Sequence, residues 1–116
     1  MPHIHLETTS DLEENANLPD ILEALTVTLA GHETMSSKAI KSYHTLRSVW
    51  LMGEGAPGGF AHCEVAILQG RPLALRQEIA ASLMDVMREQ FAESLEAGAV
   101  GLTLELREMD KDTYQR

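Results

Sequence analysis

The chain's hydrophobic pattern predicts an α+β fold: two fused β-α-β units forming a four-stranded sheet with two helices on one face. Two observations predict it. A strictly alternating stretch followed by a helical apolar stripe and a further β-rich stretch occurs twice in succession. Between the two occurrences lies Gly53-Glu54-Gly55-Ala56-Pro57-Gly58-Gly59, which reads only as a turn or loop. The length of 116 residues, 44% of them apolar, suits one compact domain spanning 1–116, with pseudo-repeat halves at about 2–52 and 60–107.

From His3 to Thr8, Ile4 and Leu6 fall on one face and His3, His5 and Glu7 on the other, the period of a strand. Pro19 is a good first-turn residue, and Ile21, Leu22, Leu25 and Leu29 form a helical stripe up to Gly31, a C-cap candidate. Ala39 to Met52 reads as a long β-rich stretch, with Ile40, Tyr43, Val49 and Trp50 giving it apolar groups on both faces. Phe60 to Leu68 alternates, with Ala61, Cys63, Val65 and Ile67 inward and His62 and Glu64 outward. Gly70 breaks that strand. Pro72 opens a helix expected to run to about Ala97 on the face Leu75, Ile79, Leu83, Met87, Phe91 and Leu95, with Gly98 as its cap. Val100, Leu102, Leu104 and Leu106 then alternate as the last strand. Each βαβ crossover is expected to be right-handed with parallel strands, so both helices share a face and the other face calls for cover by assembly.

Nine Lys and Arg against 18 Asp and Glu give a net charge of −9, a poor start for binding nucleic acid or an anionic membrane. The single Cys63 rules out an intrachain disulfide and fits a reducing compartment. With no signal-peptide pattern at the start and no membrane-length apolar run, a cytoplasmic protein is expected.

The chemistry-bearing feature is the start, Met1-Pro2-His3. Trimming of Met1 leaves Pro2 with a free secondary amine able to act as base or nucleophile; alternatively, Pro2 merely opens a strand, where its missing N–H costs no ladder bond. Far down the chain, Gly70-Arg71-Pro72 places a guanidinium at a strand-to-helix junction, next to helix N–H groups that attract anions.

These residues, with Asn17-Leu18-Pro19, Thr28-Leu29-Ala30, Trp50-Leu51-Met52, His62, Leu73 and Arg76-Gln77, resemble the tautomerase superfamily and, within it, the 5-carboxymethyl-2-hydroxymuconate isomerase family. The resemblance runs from Pro2 to about Glu108. It implies the tautomerase fold, a homotrimer with sheets inside and helices outside, and a cofactor-free isomerase acting on a small anionic carboxylate or dicarboxylate in aromatic-compound catabolism. It further implies Pro2 as general base and Arg71 as a substrate-binding cation. The family's other arginine falls at Lys41, which keeps the charge but not the planar fork. The stretch after the last strand, Lys111 to Arg116, is short for this family.

For Pro2 to act as a base, its cationic form must be disfavoured. Trp50, Met52 or Phe60 would do so by desolvation, and Arg71 and Lys41 by like-charge repulsion. Other candidates carry less. His3, His5, His44 and His62 lack the partner spacing of a metal site, so no metal is expected. Strand neighbours His62, Cys63 and Glu64 point to opposite faces, and Cys63 reads as a small core residue. Tyr43, Thr45 and Arg47 share the face of Lys41 and read as a solvated or interface surface. The same element order also fits a non-catalytic ferredoxin-like domain that binds small ligands or mediates assembly.

Overall fold

The computed structural model describes residues 1–116. Strand β1 (His3–Thr9) leads through a short 3-10 turn (Glu13–Asn17) into helix α1 (Leu18–Ala30) and strand β2 (Lys41–Arg47). The second half runs β3 (Gly59–Leu68), α2 (Leu73–Gln90), a one-turn helix α3 (Ala92–Glu96) and β4 (Val100–Met109). The four strands form one sheet in the order β2-β1-β3-β4. β1 pairs parallel with β2 and β3 parallel with β4, while β1 and β3 meet antiparallel.

Period-two alternation decides which side of the sheet is core. Ile4, Leu6 and Thr8 of β1 and Ala61, Cys63, Val65 and Ile67 of β3 are fully buried. Over them pack the four-residue stripes Ile21, Leu25, Leu29 of α1 and Ile79, Leu83, Met87 of α2, with Phe91 closing one end. Both long helices therefore cover the same face, as the sequence predicts. The opposite face is a polar lattice of cross-strand pairs. His5 stacks on Tyr43 with ring centroids 4.6 Å apart and bonds Thr45 at 2.9 Å. Glu7 pairs with Arg47, and Glu64 with Arg107 at 3.0 Å.

Three expectations change. The β-rich stretch 39–52 yields a strand only over Lys41–Arg47, after which the chain turns and the Trp50 indole N–H donates to the Gly58 carbonyl at 2.9 Å. β2 is an edge strand whose helix-facing side carries the polar Ser42 and His44 beside the apolar Leu46. Ser42 bonds Thr26, and His44 Nε2 bonds the Thr8 hydroxyl, which donates in turn to Asn15. The long second helix breaks at Phe91, where φ is −108° and ψ 25°. The break lets Phe91 turn wholly into the core, and a new helix starts.

That restart exposes fresh helix N–H groups inside the protein, and Glu14 meets them. Its buried carboxylate accepts from the Ser94 backbone N–H at 3.0 Å and from the Ser94 hydroxyl. An anion at a helix N-terminus is favoured by both the free N–H groups and the dipole. Glu14→Ala leaves both donors buried without a partner and should lower stability by about 2–3 kcal/mol. Urea denaturation reads this directly, and a midpoint equal to the wild type's would show that water replaces the carboxylate.

Candidate active site

Antiparallel register brings the chemistry-bearing segments together. His3 lies opposite Ala66 in β3, so the chain start before His3 lies level with the C-terminal end of that strand. On its other side His3 lies opposite Lys41, the first residue of β2, and the Lys41 backbone N–H donates to the Pro2 carbonyl at 3.1 Å. Leu68 pairs with Met109, so β4 also ends at this edge. One end of the sheet thus collects the chain start, the entry to β2, the exit of β3 and the exit of β4.

Pro2 is buried there. At the exit of β3, Gly70 adopts φ +124°, a region that side chains avoid, and this turns the chain off the sheet. Arg71 follows, and Pro72 takes φ −59° and ψ 152° as the residue before α2. The Arg71 guanidinium reaches back under the α1–β2 loop. Nε donates to the Thr34 hydroxyl at 3.0 Å, one terminal nitrogen to the Leu68 carbonyl at 3.1 Å, and the other to the Thr34 carbonyl at 3.3 Å. That second nitrogen also faces the Met35 sulfur at 3.7 Å. Thr34 sits at φ +70°, unusual for a residue with a side chain, and these bonds hold it there. Arg71 therefore braces a strained turn, and most of its donors are engaged.

The electrostatics favour a neutral amine. The amine at Met1 is held below its ordinary value of 8.0, first by burial and then by the charges of Arg116, Arg71 and Lys41. His3 is likewise lowered, by burial and then by Lys41 and the amine. No carboxylate lies within ion-pair distance of Lys41, Arg71 or Arg116, whereas Arg47, Arg76, Arg88 and Arg107 each have one. Three cations without a carboxylate partner thus act on one amine.

The structure brings Pro2, Lys41 and Arg71 to one edge of the sheet. It does not bring Trp50, Met52 or Phe60 to the amine of the same chain. β2 runs away from Lys41 toward Trp50 and Met52, and Phe60 precedes Ala61, which pairs with Thr8 at the far end of β1. Arg116, an arginine with no motif around it, carries no signal in the sequence. Each of the five histidines bonds a hydroxyl, of Tyr114, Thr45, Ser82, Thr8 or Thr103. The Cys63 thiol is pushed up to about 12 by burial, and by Glu64 beside it, so it is a core group and not a nucleophile. The largest surface hollow, about 430 Å³ between α1 and α2, is lined by Asp20, Glu23 and Glu89 and repels anions.

The sequence profile of 5-carboxymethyl-2-hydroxymuconate isomerase matches residues 2–116. The chain belongs to this isomerase family. It is 27% identical over 110 residues to the 5-carboxymethyl-2-hydroxymuconate Delta-isomerase of Escherichia coli, covering 94% of this chain and 87% of that one. The fold superposes on a 5-carboxymethyl-2-hydroxymuconate isomerase from Deinococcus radiodurans R1 with a TM-score of 0.89 at 22% identity, over 99% of this chain and 87% of the other. A fused 4-OT solved as a symmetric trimer matches with a TM-score of 0.74 at 16% identity, over 98% and 90% of the two chains. The fold is the tautomerase fold.

The site makes a directional prediction for the chain that retains Met1. Its amine should titrate below 8.0, and Lys41→Met should move it back upward, because removing a like charge favours the protonated form. The pH dependence of N-terminal acylation measures both. An amine that titrates at the same pH in the two proteins would remove Lys41 from the site.

Proposed function

We propose that the protein isomerises a small unsaturated 2-hydroxy or 2-oxo acid, with the amine of Pro2, freed by removal of Met1, as general base. The observation that supports this best is the shielded, cation-flanked chain start. Burial and like charge lower the chain-start amine at Met1, and the same surroundings would disfavour the ammonium form of the Pro2 amine once Met1 is removed.

In the first step the Pro2 nitrogen takes a proton from the substrate's hydroxyl or from an acidic carbon. The electron pair left behind spreads through the conjugated chain as a dienolate, and its charge grows on the oxygens nearest the cations. Lys41 and the donors Arg71 has left stabilise that charge, which is larger in the transition state than in the substrate. In the second step the ammonium returns its proton to a distant carbon of the same chain. One proton has moved and no electrons have been gained or lost, so the reaction calls for no cofactor.

The site edge is open in the single chain, and Tyr43, Leu46, Val49 and Leu51 stand exposed along and beyond edge strand β2. A homotrimer that covers the polar sheet face and these side chains completes the reading, and the solved symmetric trimer with this fold supports it. The reading extends to a cytoplasmic enzyme of aromatic-compound breakdown; no helix is long and apolar enough to cross a membrane.

Pro2→Ala replaces the secondary amine with a primary one in a looser setting, and a blocked N-terminus removes the lone pair altogether. Turnover of an enolised unsaturated 2-oxo acid should fall by about 10²-fold or more in both, as for loss of a general base. Full activity with a blocked N-terminus would take Pro2 out of the mechanism. Light scattering at micromolar concentration should return the mass of a trimer, and a monomer that is active at that concentration would refute the assembly.

A further inference from the structure

The residues beyond β4 do not trail into solvent. Met109 pairs with Leu68, and the chain then turns at Asp110, whose carbonyl accepts from the Thr113 and Tyr114 backbone N–H groups at 3.2 and 3.0 Å. Lys111 N–H donates to the Gln69 side chain at 2.9 Å, which ties the turn to the exit of β3. Tyr114 then crosses to β1. Its hydroxyl bonds His3 Nε2 at 2.9 Å, and the two rings meet edge to face with centroids 5.9 Å apart. The tail therefore spans the sheet edge from β4 past β3 to the residue next to Pro2, and it carries Arg116 with it.

Arg116 differs from every other arginine in the chain. Of the six, Arg47, Arg88 and Arg107 pair with carboxylates, Arg76 pairs with Glu108 and donates to the Arg71 carbonyl, and Arg71 braces Thr34. Arg116 alone has no protein partner for its five N–H donors. Its charge acts on the chain-start amine ahead of those of Arg71 and Lys41. An unpaired guanidinium anchored two residues from a tyrosine bonded to His3 is placed to receive a planar anion.

We propose that Arg116 is the specificity-determining residue that holds a carboxylate of the substrate through a paired guanidinium contact, supplying the fork that Lys41 lacks and that Arg71 has turned toward Thr34. This rests on the isomerase reading above. Tyr114 acts as a positioning residue, fixing the tail against His3 so that Arg116 is presented and not free to roam.

The test compares two substrates, an unsaturated 2-hydroxy acid ending in a second carboxylate and the same skeleton ending in a methyl group. Measured above the acidic limb of both proteins, where the amine is neutral in each, Arg116→Ala should lower kcat/KM on the dicarboxylate by about 10- to 100-fold, the range for losing a charge-assisted contact, and leave the methyl compound nearly unchanged. Arg116→Lys should recover only part of the loss. Tyr114→Phe should raise KM on the dicarboxylate without lowering kcat. Equal losses on both compounds, no loss on either, or a changed oligomeric state in Arg116→Ala would each overturn the assignment. If the wild type turns over neither compound, the isomerase reading fails. Calorimetry then still decides the role of Arg116, with adipate and hexanoate as probes. Tighter binding of adipate than hexanoate that Arg116→Ala abolishes would uphold a carboxylate-holding role, and equal binding by both proteins would refute it.

Discussion

The antiparallel pairing of β1 with β3 is the constraint on which the rest depends. Each βαβ unit alone brings its two strand starts to one end and its strand exits to the other. Joined parallel, the two units would put both chain starts together and both strand exits far away. Joined antiparallel, they set Pro2 and Lys41 from the start of the first unit against Leu68, Arg71 and Met109 from the exits of the second. The chain-start amine is therefore supplied by one half of the chain and the Arg71 guanidinium by the other. A one-residue slip in this register would also turn Ile4, Leu6 and Thr8 out of the core, so burial and site geometry are enforced by the same pairing.

Charge is distributed with the same consequence. On the open sheet face Glu7 pairs with Arg47 and Glu64 with Arg107, while Glu105, opposite Glu64, has no basic partner. The unmatched cations stand at the edge where the amine lies. In a chain of net charge −9, cations without a carboxylate partner are few, and Lys41, Arg71 and Arg116 are three of them. Arg71 serves two ends here. By bracing Thr34 it fixes the loop that leads into Lys41, so its removal would disturb the site's shape as well as its charge.

Much of the fold was legible because it is written in periodicity. β1, α1, β3 and β4 follow their two- or four-residue patterns almost to the residue, and the Gly70-Arg71-Pro72 junction carries its own backbone chemistry. What the pattern could not show depends on contacts between distant segments. Val49 and Trp50 have strand propensity, yet β3 already occupies the other side of β1 and the edge strand ends at Arg47. The helical stripe continues through Phe91, but the helix breaks there and Glu14, nearly eighty positions away, receives the new N-terminus. Pro2, Lys41 and Arg71 were legible as chemistry, whereas the desolvating role given to Trp50, Met52 and Phe60 ignored which end of the sheet they reach. Arg116 was silent because only the Tyr114–His3 bond makes it local to the chain start.

Topology lowers the basicity of the chain-start amine, and in the proposed function this is what makes a proline nitrogen the base. The pH profile of kcat/KM, recorded beside a direct ¹⁵N NMR titration of the Pro2 nitrogen, tests it most directly. The expected result is an acidic limb that coincides with the titration of the Pro2 nitrogen, both lying below the ordinary value for a proline amine. Both should move upward together when Lys41 is made neutral. A limb that stays in place while the amine's titration moves, or an amine that titrates at its ordinary value, would contradict it.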